Sequence, residues 1–289
     1  MRVSAWQGLP IAVRAVLTGL LILVAGNVVW SFLVSANLQF FPSFPWAVPV
    51  MSVYLWVFWQ YLRGSGWPRR TSKTRRTNLR ISILPVRVWL WSLLAGGATF
   101  ASLMTLLLLY KRVVNIPENQ FAGLSQYPVF FVVALILMSA AVAGVVEESA
   151  FRGYMQLPIE HRHGLAVATA VVAIMFSLAH LSHGMAYAML LVPLYLLGSA
   201  IYSILAYLTG SIMPGIILHT STDVILGILT LREATSSTKP LIPGKETGFA
   251  LGTFAVVFAA LGIWCFRRLA KIAPRKTESS ALSVVAGTE

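Results

Sequence analysis

The sequence has few charged residues, and that scarcity excludes an ordinary water-soluble protein. Only 11% of its 289 residues are charged and 57% are hydrophobic, with a mean hydropathy of +0.78. Soluble domains carry about 25% charged residues. The single cysteine, Cys265, excludes a disulfide framework or an all-cysteine metal site within one chain. The sequence also lacks His-Glu-x-x-His, so ordinary zincin chemistry is not expected.

Acids are scarcer than bases: nine Asp and Glu stand against 22 Lys and Arg, a formal charge of +13. In a soluble protein this excess would indicate a nucleic-acid partner. Here the bases lie between apolar runs, which favours loops facing anionic lipid headgroups and no nucleic acid.

Eight apolar segments meet or approach the roughly 20 residues that cross a bilayer as a helix. We therefore predict an all-α polytopic membrane protein of about eight transmembrane helices, with its site inside the bundle. The segments are 13–36, 46–62, 86–110, one starting near Tyr127, 164–181, 185–208, 211–229 and 248–266.

Basic residues in the loops predict the orientation. The loop from Arg63 to Arg87 holds eight bases and no acid, and 17 bases fall on its side of the membrane against five on the other. By the positive-inside rule both termini are cytoplasmic, in a membrane that we take to be a prokaryotic inner membrane.

Six acids are expected in loops or in the tail, and three within apolar segments. The first group is Glu118, Glu160, Glu233, Glu246, Glu278 and Glu289, with His161, Arg162 and His163 in the same loop as Glu160. The second group is Glu147, Glu148 and Asp223. Ionisable residues inside a membrane are costly, so these three acids are functional candidates.

Glu148 and Arg152 are four residues apart with the acid first, the favourable order for a helical ion pair. Glu147 points about 100° away around the helix, so the same arginine does not pair with it. A carboxylate in a poorly hydrated position suits a general base or acid.

Three histidines also lie within or at the end of apolar segments: His180 and His183 near the end of the fifth, and His219 within the seventh. His183 stands before Gly184 at an expected turn and is predicted to lie at the membrane interface. If the fourth helix continues to about Pro158, Glu147, His180 and His219 lie roughly 16, 24 and 12 Å along their helices. These depths predict a cluster reached from the cytoplasmic side.

His219 and Asp223 are four residues apart and share a helix face. Asp223 could orient His219, keep it protonated or join it as a metal ligand. Glu147, His180, His219 and Asp223 together could hold a catalytic zinc ion, so a zinc cofactor and no cofactor both stay open.

These residues resemble the motifs of the CPBP family of intramembrane proteases, the CAAX-prenyl-protease and bacteriocin-processing (Abi) family. Glu-Glu-x-x-x-Arg matches Glu147, Glu148 and Arg152; Phe-x-x-x-His matches Phe176 and His180; His-x-x-x-Asn/Asp matches His219 and Asp223. Each motif alone is weak, but all three in order on separate segments are specific. The resemblance covers residues from about Tyr127 to Leu229.

The resemblance implies an eight-helix endopeptidase with Glu147, Glu148, His180, His219 and Asp223 as catalytic residues and Arg152 as an ion-pair partner. Glu147 would activate the attacking water with help from His180, while His219 and Asp223 would stabilise the oxyanion or complete the site. Some members have Asn at the position of Asp223. An ionised carboxylate cannot donate a hydrogen bond, which puts a pure oxyanion role for Asp223 in doubt.

The chain is thus predicted to have three regions: 1–126 with three spans and the basic loop, the CPBP-like core 127–230, and 231–289 with the last span and a disordered basic tail. The expected substrates are membrane-associated or tail-anchored peptides or proteins, cleaved by glutamate-type or zinc metalloprotease chemistry. The alternatives are a proton-coupled transporter, in which buried Glu and His form a relay, and a non-catalytic binding or immunity protein.

Overall fold

The computed structural model describes residues 6, 8–114, 126–235 and 245–273. Within these ranges the chain forms helices and no strand, which confirms the all-α polytopic fold. Continuous apolar sequence produces long helices here, because a backbone in lipid must satisfy its hydrogen bonds within its own segment. Residues 274–289, predicted to be a disordered tail, lie outside the described residues.

Nine α-helices are formed by the described residues, together with one π-helical segment and two short 3₁₀ turns. The α-helices are α1 (Ile11–Phe40), α2 (Ala47–Leu62), α3 (Ser72–Leu79), α4 (Val86–Val113), α5 (Val129–Glu147), α6 (Gln156–Ala179), α7 (Met185–Thr209), α8 (Met213–Thr235) and α9 (Lys245–Ile272). The π-helix is Glu148–Met155, and the 3₁₀ turns are Arg69–Thr71 and His180–His183.

Six helical stretches in the described ranges are long and apolar enough to cross a membrane, and α2 is a shorter apolar helix. One stretch, Val129–Ser182, is 54 residues long and contains two of the predicted spans. The chain changes direction inside it at Gly164, which has φ of +83° and ψ of +169°. Glycine is suited to this position because L side chains rarely adopt such a positive φ. Divided there, the described ranges contain eight apolar helical segments, the number that the sequence predicts.

The helix that carries the Glu-Glu pair does not end at Val146. It continues from α5 through the π-helix into the first part of α6, so Glu147 and Glu148 lie inside a helix. The continuation agrees with the depth argument from the sequence. The π-helical geometry of Glu148–Met155 was not predicted.

The first helix packs directly on this central helix through two glycines. A Cβ at Gly19 would lie 2.9 Å from the carbonyl oxygen of Ala150, and one at Gly26 would lie 2.4 Å from a methyl carbon of Val146. Glycine therefore lets α1 approach the backbone of the segment that carries the acids. The orientation of the bundle across the membrane, and the cytoplasmic position of both termini, stay predictions.

The basic loop contains structure of its own and is fixed to the bundle by two buried arginines. Arg75 is buried and donates hydrogen bonds to the carbonyl oxygens of Tyr61 and Ser65. Arg80, at the end of α3, is buried as well. These two bases are not available to lipid headgroups. The exposed bases of the loop are Arg63, Arg69, Arg70, Lys73, Arg76 and Arg87.

The prediction that Glu160 lies in a water-facing loop is wrong. Glu160 lies in the first part of α6, buried, and its two carboxylate oxygens accept hydrogen bonds of 3.0 and 3.2 Å from the Arg80 guanidinium. Burial lowers the pKa of Arg80 from its ordinary value, and the Glu160 carboxylate opposes that shift. His161, Arg162 and His163 are exposed but belong to the same helix. The local sequence is polar, and the partner that buries Glu160 is too distant along the chain to be read from spacing.

Candidate active site

Glu148 and Arg152 form the ion pair that their spacing predicts, in the centre of the bundle. The Glu148 Oε1 to Arg152 Nη1 distance is 3.1 Å, and neither side chain is exposed. Arg152 Nη2 also donates to Ser199 on α7, 2.9 Å to Oγ and 3.2 Å to the carbonyl oxygen. A buried charge needs such partners, because removing it from water costs several kcal/mol.

Glu148 contacts His219 on α8 with the same oxygen that binds Arg152. The Glu148 Oε1 to His219 Nδ1 distance is 2.9 Å. A carboxylate accepts hydrogen bonds, so Nδ1 carries the proton and the ring is oriented by Glu148. This contact assigns to Glu148 the orienting position that the sequence offered to Asp223.

The other nitrogen of His219 faces two further carboxylates. Nε2 is 3.8 Å from Oε2 of Glu147 and 3.7 Å from Oδ2 of Asp223. These distances are longer than hydrogen bonds, but they bring side chains from two separated motifs around one ring nitrogen. Exposure rises outward from the centre: the side chain of Glu148 is 0% exposed, His219 6%, Glu147 14% and Asp223 34%.

His180 lies at the end of α6, where the helix passes into a 3₁₀ turn. Its Nδ1 is 2.8 Å from the carbonyl oxygen of Phe176. Its ring packs on Phe176 with centroids 4.4 Å apart, and the Phe176 and His219 centroids are 6.2 Å apart. Phe176 therefore packs against His180, and it lies beside the His219 ring as well.

Three side chains of α7 complete this environment and were not identified from the sequence. Tyr195 packs on His180 with ring centroids 4.2 Å apart, and Tyr202 stacks on His219 at 5.0 Å with an interplanar angle of 15°. Ser199 accepts from Arg152. Positions 195, 199 and 202 follow the i, i+4, i+7 spacing of one helix face, a signal that was present in the sequence.

A second buried polar cluster continues along the same helix. Gln156 Nε2 donates to the carbonyl oxygen of Ser203 at 3.0 Å and to Oε2 of Glu160 at 3.1 Å. Glu160 in turn binds Arg80. We call Gln156, Glu160 and Arg80 the lower cluster, and Glu147, Glu148, Arg152, His219 and Asp223 the upper cluster.

Close helix contacts fix the upper cluster. A Cβ at Gly215 would lie 2.8 Å from Oε2 of Glu148, and one at Gly144 would lie 2.2 Å from Oγ1 of Thr220. Glycine at these two positions lets α8 approach the helix of the Glu-Glu pair closely enough for His219 to reach Glu148.

A zinc site receives no support from this arrangement. Among the described residues, no group of three or more His, Cys, Asp or Glu side chains is placed to hold a metal ion. The candidate ligands Glu147, His180, His219 and Asp223 therefore do not form a ready metal site, and the choice between zinc and no cofactor stays open.

A family model matches the part of the chain that carries the upper cluster. The apolar helices and this family match support an integral membrane protein. Residues 128–225, about a third of the chain, match the family model described as type II CAAX prenyl endopeptidase Rce1-like. This match confirms the resemblance to the CPBP family and supports an intramembrane endopeptidase of the CAAX-protease type. Curated proteins and solved structures give no significant match.

Proposed function

We propose that the protein cleaves membrane-associated or tail-anchored peptides with a water molecule activated by Glu147. The observation that carries this proposal is the meeting of the first and third motifs around His219, with Glu147 and Asp223 within 3.8 Å of Nε2 and Glu148 on Nδ1. Phe176 of the second motif lies beside the same ring, with centroids 6.2 Å apart. The match to a CAAX-type endopeptidase family supports peptide hydrolysis over proton-coupled transport.

Glu147 is the candidate general base because it combines proximity to His219 with partial exposure. Its carboxylate removes a proton from water as the water oxygen bonds to the peptide carbonyl carbon, and the carbonyl π electrons move to oxygen. The tetrahedral intermediate then collapses, the C–N bond breaks, and the amine nitrogen takes the proton from Glu147. One water molecule is consumed for each peptide bond cleaved, and the products are a new carboxyl end and a new amino end. Glu147 returns to its ionised form.

Glu148 and Arg152 act in this proposal by positioning. Arg152 holds Glu148 at 3.1 Å, and Glu148 holds the His219 ring at 2.9 Å. Nε2 of His219 then stays beside Glu147. When the ring is protonated, its positive charge favours the ionised form of the Glu147 carboxylate, which is the form that can accept a proton from water. His180 bounds the same site through its contacts with Phe176 and Tyr195.

The test is a cleavage assay on purified protein in lipid nanodiscs. The probes are a fluorogenic peptide ending in a farnesylated Cys-aliphatic-aliphatic-X sequence and the same peptide without the farnesyl group. We expect Glu147→Gln to lower kcat by about 10²–10⁴-fold, the usual contribution of a general base. His180→Ala should also lower kcat, whereas His163→Ala, the same change at an exposed histidine, should leave it unchanged.

Wild-type turnover in Glu147→Gln would reject the assignment. Cleavage of the farnesylated probe alone would identify a prenylated substrate class, and cleavage of both would identify unmodified peptide ends. Parallel assays with a chelator, followed by metal analysis of the purified protein, separate zinc-dependent hydrolysis from glutamate chemistry.

A further inference from the structure

The carboxylate-rich site needs a hydrogen-bond donor for the oxygen that becomes negative when water attacks a peptide carbonyl. Three acids surround His219: Glu147, Glu148 and Asp223. An ionised carboxylate only accepts hydrogen bonds, so none of them stabilises an oxyanion. The donor must come from another side chain near His180 and His219.

His180 does not supply this donor in its neutral form. Its Nδ1 is 2.8 Å from the carbonyl oxygen of Phe176, and a carbonyl oxygen only accepts. Nδ1 therefore carries the proton, and Nε2 of the neutral ring holds a lone pair. The tautomer fixed by Phe176 makes His180 a proton acceptor at the site.

His219 is constrained in a similar way. Its Nδ1 proton is directed at Glu148, and its Nε2 lies between Glu147 and Asp223. A proton on Nε2 faces two carboxylates, whose negative charges compete with any oxyanion for it.

Two tyrosines of α7 bring a neutral O–H group to this environment: Tyr202 is buried against His219, whereas Tyr195 is half-buried beside His180. The Tyr195 ring lies against His180 with centroids 4.2 Å apart and against Phe176 at 6.4 Å. Tyr195 also shares a face of α7 with Ser199, which binds Arg152, and Tyr202, which stacks on His219, so this face of α7 borders the upper cluster. Among the described residues, no hydrogen bond to the Tyr195 hydroxyl is formed, in contrast to Tyr154, whose hydroxyl donates to backbone carbonyl oxygens.

We propose that Tyr195 is a catalytic residue that donates its phenolic hydrogen bond to the oxyanion of the tetrahedral intermediate. This inference rests on the proposed peptidase function and assigns a role that Asp223 cannot fill while it is ionised. Water forms the new C–O bond, the carbonyl electron pair moves to oxygen, and the Tyr195 O–H stabilises that oxygen without transferring its proton.

The experiment compares Tyr195→Phe with Tyr110→Phe in the nanodisc cleavage assay. Phenylalanine keeps the ring that packs on His180 and removes only the hydroxyl. Tyr110 is a half-buried tyrosine on α4, outside the upper cluster. Tyr110→Phe is the control because it removes the same hydroxyl group at a distance from the site. We expect Tyr195→Phe to lower kcat by about 10²-fold, as loss of one oxyanion donor does, with KM within about twofold. Tyr110→Phe should keep wild-type kcat.

A phosphinate analogue of the cleaved peptide gives a second measurement, because its tetrahedral oxygens imitate the intermediate. Tyr195→Phe should weaken its binding by the same factor that kcat/KM loses. A lower kcat with unchanged analogue affinity would overturn the donor role, as would wild-type kcat in Tyr195→Phe. If Tyr195→Phe is fully active while Glu147→Gln is inactive, only this inference fails. If Glu147→Gln is fully active, the proposed function fails with it.

Discussion

The upper and lower clusters share one continuous helix and each contains a buried ion pair, yet their charge balance differs. The lower cluster pairs one acid, Glu160, with one base, Arg80, and both side chains are 3% exposed. The upper cluster places three acids around Arg152 and His219, and exposure rises to 34% at Asp223. Balanced charge with almost no exposure is typical of a structural pair. Excess acid with a partly exposed edge is typical of a site that handles protons.

The largest effect should come from unbalancing the lower cluster. Arg80→Met leaves the Glu160 carboxylate buried without its guanidinium, which should cost about 3–5 kcal/mol of the free energy of unfolding. Unfolding in mixed micelles measures this loss. The double variant Arg80→Met/Glu160→Leu should recover most of it, since both charges are then gone. A double variant as unstable as the single one would show that Arg80 acts by something other than pairing.

Glu148→Gln tests whether the upper pair serves catalysis more than stability. It weakens both the Arg152 contact and the His219 contact, and hydrogen bonds to charged groups contribute about 1.5–3 kcal/mol. We expect kcat to fall by about 10- to 100-fold, and the matched variant Glu160→Gln to lower stability while the folded enzyme keeps its kcat. Equal kcat losses in the two variants would remove the functional distinction between the clusters.

Gly144→Ala probes the close packing that the upper cluster needs. The added Cβ would lie 2.2 Å from Oγ1 of Thr220 and 3.0 Å from the carbonyl oxygen of Ile216, so α5 and α8 must separate. Overpacking of this kind costs about 1–3 kcal/mol, and a shift of the neighbouring His219 should lower kcat by about 10-fold. Gly97→Ala has no atom within 4 Å of the new Cβ and should leave kcat unchanged. Normal kcat in Gly144→Ala would show that the cluster tolerates looser helix contact.

The smallest effect should distinguish the two serines of α7. Ser199→Ala removes the hydroxyl that accepts from Arg152 but leaves the carbonyl acceptor, so the unfolding free energy should fall by about 1 kcal/mol. Ser203 contributes only its carbonyl oxygen to Gln156, and Ser203→Ala should be neutral by the same unfolding measurement. A reversed order would mean that the Ser203 hydroxyl, not that of Ser199, supports the bundle.

Local relations in this site were predictable from the sequence, and relations across helices were not. The Glu148–Arg152 pair follows from a four-residue spacing, and the eight apolar segments follow from hydropathy. The burial of Glu160 depends on Arg80, which is 80 residues away, so local polarity gave the wrong answer. The contact of Glu148 with His219 likewise depends on how closely α8 packs against the helix of the Glu-Glu pair. Gly144 and Gly215 permit this close packing, but their presence in the sequence does not show which helices meet.

The two clusters share a helix face only because the helix is wound wider between them. Their residues on it, Glu148, Arg152, Gln156 and Glu160, are strictly four apart. In a regular α-helix each four-residue step overshoots a full turn by about 40°, so three steps would carry Glu160 to another face. The π-helix Glu148–Met155 holds more residues per turn and cancels much of this drift. A regular α-helix of the same length would place Glu148 and Glu160 about 120° apart around the axis, so the two clusters would face different neighbours although every side chain of the site would still be encoded.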